Sequence, residues 1–188
     1  MSRAAGIRRA VMPLLVGALL GFIGGYFAGG GGRPAAPAEA SSPVAEGDRL
    51  DQARKAVDKD PQNPKLLTAL GNVCYDREDW DGAVQAYEKA RRKSSSPDPN
   101  LLSDLGAAYR NRGDFKKAVA CFEKARAADP DHWQSLLNLV LIEAFDMRDA
   151  QASRRHFGEL KRRFSDMPNL DRIDRQIKSL ESPGPARS

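Results

Sequence analysis

The sequence predicts an all-α solenoid of helix-turn-helix repeats standing behind one N-terminal membrane-spanning helix. Three observations carry this. Two segments superimpose on each other at an offset of 35 residues. A stretch from Ala10 to Gly32 holds no charged residue and follows three arginines. A last amphipathic segment carries one apolar stripe, suited to closing the end of a stack of helices.

The repeat comes first. One copy reads Leu67-x2-Leu70-Gly71-x2-Cys74, then Arg77-x-Asp79-Trp80-x2-Ala83-Val84-x2-Tyr87-Glu88-Lys89-Ala90-Arg91. The other reads Leu102-x2-Leu105-Gly106-x2-Tyr109, then Arg112-x-Asp114-Phe115-x2-Ala118-Val119-x2-Phe122-Glu123-Lys124-Ala125-Arg126. Apolar residues recur at helical spacing in both halves of each copy. Gly71 and Gly106 would let the two helices of a hairpin approach closely. Ala83 and Ala118 are small where those helices cross, and Tyr87 and Phe122 fill the space beyond. Asp79 and Asp114 stand at N-cap positions, and Gly113 can end a helix in the left-handed conformation. The spacing predicts helices near 48–59, 64–77, 80–93, 98–111, 115–128, 131–146, 149–164 and 169–181.

This pattern resembles the tetratricopeptide repeat (TPR) family. The second copy matches W-x2-L-G-x2-Y…A-x3-F…P with Leu102 in place of Trp. The first copy departs at Cys74, where an aromatic is usual. Leu50 to Pro61 resembles a second helix alone. A third hairpin begins with Leu136-x2-Leu139 but has Val140 in place of Gly and Glu143 in place of Tyr. Its second helix fits only after a one-residue shift, with Ser153, Phe157 and Leu160 in the Ala, Phe and Ala positions. Leu170, Ile173, Ile177 and Leu180 mark the closing helix. About three repeats with flanking helices make up a domain over residues 48–181, which meets the usual minimum for such a stack.

The segment ahead of the repeats divides into a basic tail (1–9), the uncharged stretch (10–32) and a linker (33–47) of Gly, Pro, Ala and Ser. As a helix the stretch would run roughly 34 Å, against a hydrocarbon core of about 30 Å. Arg3, Arg8 and Arg9 precede it and only Arg33 follows closely. That asymmetry keeps the N-terminus in the cytoplasm. A retained anchor is the favoured reading. Cleavage after the small residues of Ala36-Pro37-Ala38 or Ala38-Glu39-Ala40 is the alternative. Gly17, Gly21, Gly25 and Gly29 lie on one face of this helix, a spacing that lets two backbones meet in lipid. Homodimerisation through that face is one reading; the general frequency of glycine in membrane helices is the other. Residues 182–188 are read as a disordered tail.

Charge and composition exclude several function classes. The net charge is +5, with 30 basic and 25 acidic residues, and three of the basic ones precede the first acidic residue, Glu39. The remainder is near neutral, which argues against a nucleic-acid partner. No Walker loop, HExxH or GxSxG is present, and two cysteines and two histidines make no metal-ligand pattern. The expectation is a non-enzyme without cofactor or metal. Cys74 and Cys121 read as buried thiols, and His132 as a residue near a helix start. His156 reads as a surface residue. The basic run Arg154, Arg155, Lys161, Arg162 and Arg163 reads as a solvated helix face, with contact to anionic lipid or an acidic partner as the alternative.

The resemblance implies a concave groove lined by the first helices of the hairpins, binding an extended peptide or a partner helix. The stripe one step from the packing leucines comprises Thr68, Asn72 and Tyr75, then Ser103, Ala107 and Arg110, then Leu137, Leu141 and Ala144. The partner-binding candidates are Thr68, Asn72, Tyr75, Ser103, Arg110, Leu137 and Leu141. The basic clamp by which some family members hold a C-terminal carboxylate is incomplete. Asn72 fits it, but Thr68 and Asp104 stand where Lys and Asn are needed. The architecture is similar to bacterial inner-membrane proteins with one span and a periplasmic TPR domain, some of which assist cytochrome c assembly. The expectation is a membrane-tethered scaffold for a polypeptide partner; a chaperone or translocon-accessory regulator acting through homodimerisation is the alternative.

Overall fold

The computed structural model describes residues 43–96 and 98–181. The basic tail, the uncharged stretch with Gly17, Gly21, Gly25 and Gly29, and most of the linker lie outside the described residues. Among the described residues there is no strand, and eight α-helices follow one another. They are α1 (Pro43–Lys59), α2 (Pro64–Asp76), α3 (Trp80–Lys93), α4 (Pro99–Arg112), α5 (Phe115–Ala128), α6 (Trp133–Leu141), α7 (Ala150–Arg163) and α8 (Leu170–Glu181). A π-helical turn, Ile142–Asp146, extends α6. No helix among the described residues is long and apolar enough to cross a membrane.

The helix starts follow capping chemistry. Asn63 accepts the Lys65 and Leu66 N–H groups ahead of Pro64, and Asp98 accepts those of Asn100 and Leu101 ahead of Pro99. Proline in the first turn costs nothing, because its missing N–H would have had no helical partner. The same tolerance lets α1 begin at Pro43, inside the segment read as linker. Asp79 caps α3 through Gly82 N–H at 2.9 Å, and Asp149 caps α7 through Ala152 N–H at 2.9 Å. Asp114 occupies the N-cap position of α5 but makes no capping bond. Its carboxylate is held instead by the Arg112 guanidinium.

Three corners join first to second helices at Glu78, Gly113 and Arg148, all with positive φ (59°, 90° and 59°). The corners are evenly spaced along the chain, but only the middle one has the residue that adopts this conformation without strain.

Helices pack mainly on their chain neighbours, with α2 on α3 and α4 on α5 the most extensive contacts. At each of these crossings an aromatic ring rests on a glycine. A Cβ on Gly71 would lie 2.4 Å from the Tyr87 ring, and one on Gly106 would lie 2.6 Å from the Phe122 ring. Ala83 and Ala118 are fully buried beside them.

The third hairpin is built differently. Its first helix runs one residue early relative to α4: Leu136, Leu139, Val140 and Glu143 stand where Leu102, Leu105, Gly106 and Tyr109 stand. The π turn then takes up one extra residue. From Arg148 onward the original register is recovered, and this is the physical origin of the one-residue shift read in the sequence. Ser153 replaces the crossing alanine and donates to the Val140 carbonyl at 2.9 Å. Glu143, in the tyrosine position, accepts from His156 Nδ1 at 2.7 Å. His156 is therefore half-buried and bonded, where the sequence reading put it at the surface.

At the open end α8 lays Leu170, Ile173 and Ile177 against α7, and all three are buried. Each such side chain contributes about 1.5–3 kcal/mol on burial. That anchors a helix of 12 residues which would be marginal in isolation.

Candidate functional site

The first helices α2, α4 and α6 form one layer, tied side by side through polar contacts. Asn111 Nδ2 of α4 donates to the Tyr75 hydroxyl of α2 at 2.8 Å. His132, at the start of α6, meets Asn100 of α4 through Nε2 at 3.2 Å. Arg110 of α4 reaches Asp146 of the π turn at 2.5 Å. His132 is buried and caps α6, its Nδ1 accepting the Ser135 N–H. That role puts the ring proton on Nε2, facing the Asn100 carbonyl oxygen. Burial lowers the His132 pKa and keeps the ring neutral.

The candidate residues fall into two groups. In α2 the Thr68 hydroxyl is half-buried and bonds back to the Pro64 carbonyl at 2.9 Å. Asn72 is exposed and accepts the Tyr87 hydroxyl at 2.8 Å. Tyr75 is half-buried, its ring edge-on to Trp80 with centroids 5.1 Å apart. In α4, Ala107 and Arg110 are half-buried and Ser103 is buried. In α6, by contrast, Leu137 and Leu141 are each 3% exposed, and Ala144 of the π turn is 2% exposed. The third part of the candidate stripe, at Leu137 and Leu141, is closed in this structure. What remains open is the polar wall of the first two hairpins.

That wall is already cross-linked internally. Burial raises the pKa of both the Tyr75 and the Tyr87 hydroxyls, so both are neutral donors and acceptors at physiological pH. Arg110 holds Asp146 while its Nη2 is buried without a partner. Asp104 is the residue whose importance the stripe missed. It shares one face of α4 with Asn100 and Asn111, at spacings i, i+4 and i+11, and that polar row is visible in the sequence. Its pKa is raised from 3.8 to about 7, first by burial and then by the negative charge of Asp98.

Elsewhere the chemistry is structural. Cys74 and Cys121 are buried and unbridged. Burial raises both thiols, Cys121 to about 11, so neither is a thiolate at neutral pH. Tyr109 donates to Glu88 at 3.0 Å, linking α4 to α3. The basic face of α7 is partly engaged: Arg163 pairs with Asp131 and Glu159, while Arg155, Lys161 and Arg162 are exposed. No group of three His, Cys, Asp or Glu that could hold a metal ion occurs among the described residues.

Two family models described as tetratricopeptide repeat match the chain, over residues 47–98 and 99–132. Residues 47–132 are tetratricopeptide repeats. Solved structures share the fold. A tetratricopeptide repeat protein from Parabacteroides merdae aligns with a TM-score of 0.65 at 16% identity, covering 73% of this chain and 54% of its own. The chain thus spans about half the length of that relative. MamA aligns with a TM-score of 0.65 at 16% identity, covering 79% of this chain and 84% of its own. The TPR domain of Arabidopsis OM64 aligns with a TM-score of 0.56 at 16% identity, covering 62% of this chain and 94% of its own. At these identities the likeness concerns the fold. No curated protein matches the sequence. The third hairpin, beyond residue 132, lies outside both family-model matches; its π turn, Val140 and Glu143 are the departures the geometry shows there.

Proposed function

We propose that this protein is a membrane-tethered interaction scaffold whose TPR groove holds a segment of a partner polypeptide. The TPR fold generally mediates protein–protein interaction. The observation that carries the reading here is the open polar wall of α2 and α4, formed by Thr68, Asn72, Tyr75, Ala107 and Arg110. The exposed Asn72 amide and the half-buried Tyr75 hydroxyl suit a peptide backbone, and Arg110, held by Asp146, sets the far edge of the wall. Ser103, Leu137 and Leu141 are buried and form no part of the open wall. Tethering rests on the uncharged stretch 10–32 and on Arg3, Arg8 and Arg9 before it. That arrangement places the N-terminus in the cytoplasm and the repeats in the periplasm of a bacterial inner membrane. Assembly of envelope proteins, with cytochrome c maturation as one instance, is a task that suits a scaffold so placed.

Replacing Tyr75 and Arg110 together by alanine is expected to abolish capture of the partner by the full chain. Circular dichroism should be retained, and melting checked because Arg110 also holds Asp146. Capture undiminished in a folded double variant would contradict the groove reading. Alkaline phosphatase fused after Ser188 is expected to be active; an inactive fusion would contradict the topology.

A second reading rests on a separate observation, the four glycines Gly17, Gly21, Gly25 and Gly29 in register. In it the protein is a chaperone or regulator whose homodimerisation within the membrane is the working event. Gly21→Ile is then expected to weaken self-association of the anchor in a membrane two-hybrid assay, and Leu20→Ile to leave it intact. Equal signals from both variants and the parent would set this reading aside.

A further inference from the structure

Asp104 sits on the inner layer between the first two hairpins, and among the described residues no cation pairs with it. Among the described residues no hydrogen bond or ion pair reaches it, and it is not one of those with an unspecified partner. The polar groups around it are committed elsewhere. The Tyr87 hydroxyl donates to Asn72, and Asn111 donates to the Tyr75 hydroxyl. The Arg110 guanidinium is held by Asp146 of the π turn. The groups that act on Asp104 or feel its charge are Tyr75 of α2, Tyr87 of α3 and Asp98 at the start of α4; Asp76 acts on the same two tyrosines, and the Arg110 cation acts on Tyr75. The one charged group that acts on Asp104 itself among the described residues, Asp98, is negative. Yet Asp104 is half-buried, not sealed, and so can be reached from outside.

A desolvated carboxylate without a partner is costly, and the cost falls when a cation arrives. A group so placed therefore favours one chemistry in a ligand over others. We propose that Asp104 receives a cationic side chain, lysine or arginine, of the polypeptide bound along α2 and α4. The inference rests on the groove reading above and gives that groove a charge preference. The bound segment would run its backbone along Asn72 and Tyr75 and set its cation between Tyr75 and Asp104. A carboxylate-terminated ligand would meet a like charge there. The burial-raised carboxyl, with its pKa of about 7, adds a signature: a free Asp104 ionises over the range in which a bound cation would already hold it ionised. Affinity for a cationic peptide should therefore rise from pH 6 to pH 8. His132 does not produce this rise, since it is a buried neutral cap.

The test uses the full chain in a non-ionic detergent and three synthetic decapeptides of Gly and Ser with two central residues, Lys, Ala or Glu. At pH 8 the Lys peptide is expected to bind at least about tenfold more tightly than the Ala peptide, with the Glu peptide weakest. That advantage should shrink several-fold at pH 6. Asp104→Asn should remove both the advantage and its pH dependence while leaving the Ala peptide's affinity unchanged. Asp58→Asn, an exposed acid on α1, should change nothing. Equal binding of the Lys and Ala peptides would overturn the charge preference and leave the groove reading standing. A Lys advantage that survives in Asp104→Asn would overturn the assignment to this residue. Absence of binding by all three peptides would overturn this inference and count against the groove itself. Asp104→Asn relieves a buried charge, so the variant should fold; an unchanged or higher melting temperature at pH 8 confirms that.

Discussion

The second and third hairpins solve one packing problem in two ways. In the second, α4 and α5 close on each other because Gly106 leaves a seat for the Phe122 ring. In the third, Val140 fills that seat, and the helices are joined by polar bonds instead. Ser153 donates to the Val140 carbonyl, and His156 meets the buried Glu143. The π turn is the backbone's answer to the extra residue this arrangement requires. The consequence reaches the inner surface. Where the glycine seat is used, the stripe of the first helix stays partly open, at Ala107 and Arg110. Where it is not, Leu137, Leu141 and Ala144 are buried. A repeat that has lost its consensus has here closed its inner stripe, and the intact repeats leave theirs partly open.

The largest expected effect breaks the glycine seat. Phe122→Ala, at a fully buried ring, should destabilise the protein by about 3–5 kcal/mol. Gly106→Val drives a side chain into that ring and should cost about 1–3 kcal/mol. Urea unfolding of the full chain in detergent, followed by circular dichroism, measures both. Stability equal to the parent in either variant would contradict the packing described.

A smaller effect sharpens the comparison at the corners. Arg148 holds a left-handed conformation that Gly113 holds freely. Arg148→Gly should therefore stabilise by roughly 1 kcal/mol, read as a shift of the same unfolding midpoint, although the glycine also loosens the unfolded chain. A loss of stability would show that the Arg148 side chain contributes more than its backbone costs.

Much of this architecture is legible in the sequence, and the reasons are local. Helical spacing of apolar residues and Pro, Asn and Asp at the starts place α2 to α5 within about a residue. The small–aromatic pairs Gly71–Tyr87 and Gly106–Phe122 name their own crossings. Four features are less legible because they depend on what neighbouring groups do. Asp114 has the right type and place for a cap, but Arg112 two residues away takes its carboxylate. The one-residue shift in the third hairpin is readable, whereas its location in a π turn is not, since Ile142 to Asp146 carries no breaker. Burial of Leu137 and Leu141 escapes periodicity, which tells which face is apolar and not what closes over it. Asp104 is visible as a mismatch to a carboxylate clamp, but only the geometry shows that it has no partner.

The central claim is that the inner stripe of the first two hairpins is where another polypeptide lies. Photo-crosslinking in intact cells tests it most directly, with a photoreactive phenylalanine analogue placed in turn at Thr68 and Ala107 on the inner stripe and at Lys89 and Glu123, exposed on the second helices. The account predicts the same crosslinked partner band from both inner positions and none from either outer one. Crosslinks from Lys89 or Glu123 without any from Thr68 and Ala107 would contradict it.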